Sequence, residues 1–421
     1  MKKYLDEIVR SLQKIIGFDS ALAAPEEGMP FGKGAAQCLQ AFLSLAEGMG
    51  FETRNYDNYA GEVLFGEGEE FAILCHLDVV PAGDGWTHPP FGGDIEDGRL
   101  YGRGAMDDKG PAVICLYCLK ALKDSGFAPR KKIKLIVGCN EESGWACIEH
   151  YKQCAHMPDT GFSPDADFPV IYAEKGILHF CAAFPIAGAP FAKLRGGERT
   201  NMVCAYAAAE GVRDTEGFAA FGLTCEGQTL AAHGTAAHAS TPDEGDNALQ
   251  KLLAFFARQN ADVKRAYDIL FADILGLKAL HDETGALTMS PDVADYRDGI
   301  LYVTTDIRYP ATMRQTDVTD RLDKAGVRYE LLHCQPPLYN DKNGSLVRTL
   351  LAVYEEATGE KAEPIAIGGG TYARALKNGA GFGPQFADEP ATIHCADEYI
   401  TLENIEKLAT IYRLASERLT R

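Results

Sequence analysis

The sequence predicts an α/β body with a mixed, largely parallel sheet, interrupted by an inserted α+β domain. Three observations predict it. The first part of the chain alternates short apolar runs with helix-period segments, an order that builds a parallel sheet covered by helices. Near residue 180 the texture changes, and the stretch from Gly188 to Glu226 is rich in Ala and Gly. After Gln335-Pro336-Pro337 the helical and strand-like segments resume. At about 150 residues per domain, a chain of 421 residues has room for two or three domains. The expected boundaries are 1–179 and 338–421 for the body and 180–337 for the insertion.

Each element has its own signal. Leu5, Ile8, Val9, Leu12, Ile15 and Ile16 recur at helical spacing, the pattern of a surface helix docked on a core. Phe71–Cys75, Ile133–Val137 and Val170–Tyr172 are short apolar runs that read as buried strands. Pro111 opens a helix expected over Ala112–Lys123. The segment Gly299–Arg308 alternates like a half-buried strand. A helix is expected from Ser345 to Thr358, then a glycine-rich turn at Gly368–Gly370, then a closing helix from Leu402.

Composition excludes several function classes. Lys+Arg 41 against Asp+Glu 60 leaves a net charge of −19, which repels phosphate backbones and anionic headgroups. Nucleic acid and membrane are therefore not expected partners. No apolar run approaches the roughly 20 residues a spanning helix needs. Met1-Lys2-Lys3 invites a signal-peptide reading, but Asp6, Glu7, Arg10, Gln13 and Lys14 interrupt the apolar region it would need, so a cytoplasmic protein is expected. Twelve cysteines are spread along the chain, many inside apolar stretches, and are expected as reduced, buried thiols. Cys115-Leu-Tyr-Cys118 lacks a second CxxC or a histidine pair at zinc-site spacing and reads as helix packing.

The chemistry gathers in five polar clusters. His76-Leu-Asp78 follows the Phe71–Cys75 run, and Asn140-Glu141-Glu142-Ser143-Gly144 follows Ile133–Val137. In open α/β sheets, ligands bind beyond the carboxyl ends of strands, so these two should share a cleft. Arg103-Gly-Ala-Met-Asp107-Asp108-Lys109-Gly110 precedes a helix, and either aspartate there could be a simple cap. Its glycines do not form a phosphate loop. Ser163-Pro-Asp165-Ala-Asp167 and His394-Cys-Ala-Asp397-Glu398 complete the set. Imidazoles combined with several carboxylates suit two divalent cations, zinc first, with manganese or cobalt as substitutes. Such a pair polarises a carbonyl, supplies hydroxide near neutral pH and stabilises a tetrahedral oxyanion.

These words, in this order, resemble the M20 di-zinc metallopeptidases, and among them the PepV-type Xaa-His dipeptidases of bacteria. The resemblance rests on His76-Leu-Asp78-Val-Val-Pro81, Gly102-Arg-Gly-Ala-Met-Asp107-Asp-Lys-Gly-Pro111, Asn140-Glu-Glu-Ser-Gly144 and His394. Ser163-Pro-Asp165, Arg199-Thr-Asn201-Met-Val203, Ala237-His238-Ala-Ser240, Asp306-Ile-Arg308 and Gly368-Gly-Gly-Thr-Tyr-Ala-Arg374 extend it. It covers residues 70 to 400, and its strength lies in the ordered set rather than in any one motif.

The resemblance implies a zinc-peptidase-like catalytic domain and an inserted lid domain. It implies that His76, Asp107 and Asp165 hold one zinc, and that Asp107, as a bridge, joins Glu142 and His394 around the other. Its Asp-x-Lys-Gly spacing selects Asp107 over Asp108. Glu141 would be the general base, and Asp78 would orient His76 through its second ring nitrogen. From the lid, Asn201 and His238 would stabilise the oxyanion, His238 being preferred to His233, and Arg308 would bind the substrate carboxylate or the intermediate. Gly369, Gly370 and Thr371 would contact the peptide's C-terminal carboxylate. Cys75 stands where the family usually carries glycine, and reads either as packing or as a thiol that perturbs the site or makes it sensitive to oxidation. His88, His150, His156, His179, His281 and His333 match no ligand word and are expected to be structural or exposed.

The implied activity is hydrolysis of unblocked dipeptides by a monomer or homodimer whose only expected partner is a small peptide. An N-acyl-amino-acid deacylase of the same fold would keep the same metal residues. A non-catalytic metal-dependent binding protein would have lost a ligand or the base, and none is lost.

Overall fold

The computed structural model describes residues 1–421. The chain divides into two compact units, one made of Met1–Tyr172, Asn340–Ile365 and Gly370–Arg421, the other of Ala173–Tyr339 and Ala366–Gly369.

The first unit is built on a mixed sheet. Its strands run in the order Glu52–Tyr56, Ala60–Phe65, Lys131–Gly138, Glu69–His76, Thr160–Ser163, Asn378–Gly381 and Ile171–Glu174. The four strands from Lys131–Gly138 to Asn378–Gly381 are mutually parallel, and antiparallel pairs flank them. The central strands are buried on both faces: Phe71 to His76 and Ile133 to Gly138 are closed to solvent without a break. Continuous apolar sequence, rather than alternation, is what such a position demands.

Helices supply the covering layers. Leu5–Ile16 turns Ile8, Leu12, Ile15 and Ile16 inward, the stripe its periodicity predicts. Lys109–Asp124 is buried along nearly its whole length and packs on the closing helix Leu402–Thr420, where the Cys118 thiol donates to the Ala409 carbonyl at 3.2 Å. All twelve cysteines are free thiols, and Cys75, Cys115 and Cys118 are among the buried ones. Ser345–Thr358 forms the expected helix and ends at Gly359, whose positive φ suits a left-handed cap.

The second unit is an eight-stranded sheet in which every pair is antiparallel. Its strand order is Leu223–Glu226, Thr229–His233, Tyr206–Glu210, Lys193–Gly196, Thr288–Arg297, Ile300–Tyr309, Gly176–Pro185 and Arg328–Gln335. Ile300–Tyr309 alternates in burial to Thr304 and is then closed throughout. Helices Ala248–Phe256 and Ala261–Leu270 add Leu252, Phe255, Phe256, Val263 and Ile269 to a core with Leu178, Phe180, Leu301 and Val303. Asn260 caps the second helix by accepting the N–H groups of Asp262 and Val263, worth about 1 kcal/mol.

No helix is long and apolar enough to cross a membrane.

Candidate active site

Three neighbouring parallel strands deliver the polar clusters from the same end. His76 is the last residue of Glu69–His76, Glu141 and Glu142 follow Lys131–Gly138, and Asp165 follows Thr160–Ser163. Two loops complete the group. Asp107 precedes the helix Lys109–Asp124, and His394 precedes the short strand Tyr399–Thr401. That strand pairs with Arg99–Tyr101, which ties the two loops together.

At the centre lies Asp107. Its Oδ1 is 2.9 Å from His76 Nε2 and its Oδ2 is 2.9 Å from His394 Nε2. His394 Nε2 is also 3.0 Å from Glu142 Oε1, and His76 Nε2 is 3.8 Å from Asp165 Oδ2. Ligand atoms of His76, Asp107 and Glu142 lie within 4.8 Å of one another, as do those of His76, Glu141 and Asp165. His76 is fully buried and Asp107 nearly so, while His394 is half-exposed at the rim.

The adjacent aspartates diverge. Asp108 turns to the backbone: its Oδ2 accepts the His76 N–H at 3.1 Å, and its Oδ1 is buried without a hydrogen-bond partner. Burial pushes its carboxyl well up. Only Asp107 faces both imidazoles.

Hydrogen bonding decides what His76 presents. Its Nδ1 is 2.9 Å from the Asp78 backbone carbonyl, which can only accept, so Nδ1 carries a proton. In the neutral ring Nε2 then aims a lone pair at Asp107, itself an acceptor. Two lone pairs that close require a proton or a cation between them, and the donor set of imidazole and carboxylates fits zinc-like ions. The electrostatics agree. Burial penalises the Asp107 carboxylate, but hydrogen bonds from His394 and His76 outweigh it and hold the group below the usual range. Burial and the Asp107 charge push Asp165 well up. Burial likewise raises Glu142, against the hydrogen bond from His394. Burial raises Glu141 to about 8, with the charges of Glu142 and Asp107 adding to the shift. His394 is penalised by burial yet raised to about 10 by hydrogen bonds to Asp107 and Glu142. The Asp107 charge opposes ionisation of Asp165, Glu142 and Glu141, a crowding of acidic groups that a bound divalent cation would relieve.

The Asp78 carboxylate also holds the Glu141–Glu142 backbone. Oδ1 and Oδ2 accept the backbone N–H groups of Glu141 and Glu142 at 3.0 and 3.1 Å. Its nearer oxygen is 3.5 Å from His76 Nδ1, the shorter contact being the backbone carbonyl. Glu141 also accepts from Trp145 Nε1 at 3.1 Å.

Three supporting residues carry no role in the sequence reading. Glu398 Oε1 accepts backbone N–H groups from Gly104, Met106 and Asp107 at 3.1, 2.9 and 3.3 Å. Its Oε2 pairs with Arg103 at 2.8 Å, both groups being closed to solvent. Tyr372 sets its ring edge against His76 and its hydroxyl 2.7 Å from the Cys147 thiol. It reaches so close to the strand end that a Cβ on Gly138 would overlap its hydroxyl. The available signals were Glu398 four residues after His394, and Arg103 four before Asp107.

In the second unit Asn201, His238 and Arg308 also gather. Asn201 O accepts the N–H of Ala239, and Met202 bridges His238. His238 Nδ1 accepts the Ser240 N–H at 3.1 Å, so the neutral ring is a donor at Nε2. Burial, and next the Arg308 cation, lower its pKa. Arg308 is clamped by both oxygens of Asp306 at 2.7 Å and donates to the Gly368 carbonyl at 3.0 Å. His233 stands apart, exposed on the Thr229–His233 strand beside Tyr206. Gly369 belongs to this unit; Gly370 and Thr371 belong to the first. The Thr371 hydroxyl accepts the Ala373 N–H at 3.2 Å and caps the turn Tyr372–Ala375.

Histidine and acidic side chains gathered beyond parallel strand ends, in groups that could hold a metal ion, are the donor set of a hydrolytic metalloenzyme. The chain matches the model of peptidase family M20/M25/M40 over residues 72–418 and belongs to that family, whose metallopeptidases use metal ions. It is 36% identical to YtjP of Bacillus subtilis (strain 168) over 455 aligned residues, covering 99% of this chain and 98% of that one. It is 35% identical to the Beta-Ala-Xaa dipeptidase of Lactobacillus delbrueckii subsp. lactis, covering 99% and 96%. Among solved structures, the M20 family metallo-carboxypeptidase Sso-CP2 from Sulfolobus solfataricus superposes with a TM-score of 0.60 at 16% identity, over 98% of both chains. That likeness concerns the fold.

Proposed function

We propose that this M20 peptidase is a dipeptidase that hydrolyses unblocked dipeptides, of the Xaa-His type, and works with two zinc ions. The observation that carries the metal assignment is the Asp107 carboxylate, whose two oxygens each lie 2.9 Å from a different imidazole. His76, Asp107 and Asp165 would hold one cation, and Asp107, Glu142 and His394 the other. Bound there, such cations polarise a carbonyl and acidify water. The likeness to a relative named Beta-Ala-Xaa dipeptidase along 99% of this chain supports the substrate class.

The chain's own residues then have separable tasks. Glu141 takes the proton of the attacking water and hands it to the leaving amine. Asp78 fixes the backbone that carries Glu141 and Glu142, and the Asp78 carbonyl fixes the ring of His76. Burial at the strand ends keeps bulk water from competing for these groups. His238, neutral and donating through Nε2, is suited to a substrate oxygen, with Asn201 beside it. Arg308 carries the positive charge that a substrate carboxylate needs, and the backbone of Gly369 and Gly370 with Thr371 is assigned to the peptide's C-terminal carboxylate.

A substrate panel tests the reading. Release of amino acids from Ala-His and β-Ala-His, with N-acetylated amino acids left intact, is expected; turnover of acylated amino acids alone would replace the dipeptidase by a deacylase.

A further inference from the structure

A second group of metal-ligating side chains lies outside the active site. Asp57 sits in the turn between the strands Glu52–Tyr56 and Ala60–Phe65, with φ +52°. His150 and Cys154 lie on the helix Ala146–Cys154, four residues apart and so on one face. His150 Nε2 is 2.9 Å from Asp57 Oδ2 and 3.5 Å from Cys154 Sγ. All three ligand atoms lie within 4.8 Å of one another. The Tyr59 ring stacks on the imidazole with centroids 4.1 Å apart and 20° between planes, which fixes the ring orientation.

The arrangement is wrong for a relay. Carboxylate and thiol both address Nε2, whereas a catalytic triad needs one on each ring nitrogen. It is right for a cation. Tetrahedral zinc with bonds of about 2.0–2.3 Å sets its donor atoms roughly 3.3–3.7 Å apart; the sulfur–nitrogen separation of 3.5 Å falls in that range, and the 2.9 Å nitrogen–oxygen contact would open by a few tenths of an ångström to admit the ion. One nitrogen, one sulfur and one oxygen suit a borderline or soft ion rather than calcium or magnesium. Asp57 and Cys154 are exposed, so water can fill the fourth position.

We propose that Asp57, His150 and Cys154 form a peripheral site for a thiolate-binding divalent cation such as zinc, cobalt or cadmium. The ion would pin the Asp57 turn to the helix that follows the Glu141–Glu142 segment. The proposal is independent of the dipeptidase reading, because neither active-site group of ligand atoms contains a sulfur.

That difference gives a specific readout. Cadmium or cobalt is added to the reduced full-length enzyme, and the thiolate-to-metal charge-transfer band is followed in the ultraviolet. The expected result is a saturable band that is abolished in Cys154→Ser and strongly weakened in His150→Ala and Asp57→Asn. The Cys154→Ser variant should keep its dipeptide turnover without added metal, which shows that it folds. No band in the native enzyme would overturn the site, as would a band that persists in Cys154→Ser. A band lost in Cys154→Ser but unchanged in His150→Ala would reduce it to an isolated surface thiol and overturn it equally.

Discussion

The carboxylate of Asp78 accepts the backbone N–H of Glu141 at 3.0 Å while its second oxygen holds the next N–H, that of Glu142. One buried side chain therefore sets the backbone of both the assigned base and an assigned ligand. Asp78→Ala is expected to lower kcat by about 10–100-fold, the usual cost of losing a group that orients metal-site residues. KM should change little. Asn, which keeps one acceptor oxygen, should restore part of the rate. Steady-state kinetics of the two variants check this, and full activity in Asp78→Ala would refute it.

Glu141 accepts from Trp145 and belongs to a different group of ligand atoms from Glu142. Glu141→Gln should leave metal content intact and lower kcat by roughly 10²–10⁴-fold, the range for a lost proton-transfer group. Elemental analysis beside kinetics separates this from a ligand role, in which metal content would fall with the rate.

Glu398 organises the Asp107 loop from 291 residues further along the chain. Glu398→Ala would strand the buried Arg103 guanidinium and release three backbone N–H groups. An expected loss of about 3–5 kcal/mol would appear in urea unfolding at constant protein concentration. Glu398→Gln keeps acceptors for the N–H groups and should lose less.

His238 should titrate below the ordinary histidine range, because burial and then the Arg308 cation both oppose its protonation. It is accordingly neutral at pH 7 and gains its proton only as pH falls further. Removing the cation in Arg308→Ala, which leaves Asp306 paired with His179 alone, should move the midpoint upward. An NMR titration of the His238 ring measures both. An unmoved midpoint would separate the two residues.

What could be read from the sequence, and what could not, follows from the range of the forces involved. Phe71–Cys75 and Ser345–Thr358 carry their own signals, a continuous apolar run and a helical period, and the structure places a strand and a helix there. The strand Thr160–Ser163, which precedes Asp165, carries no such signal. It is four residues long, includes a glycine, and exists because parallel partners hold both its edges. The choice between Asp107 and Asp108 is likewise tertiary: the His76 backbone N–H captures one carboxylate and leaves the other facing the imidazoles. His150 carries no ligand signal in the sequence because its neighbour Asp57 lies 93 residues away. The Arg103–Glu398 pair, separated by 295 residues, was invisible for the same reason.

Chelator treatment should abolish turnover, and zinc, manganese or cobalt should restore it. The most direct test is anomalous diffraction from crystals of the zinc-loaded enzyme. Two peaks about 3.5–4 Å apart, one on each side of the Asp107 carboxylate, are predicted. A single peak, or none between His76 and His394, would contradict the account.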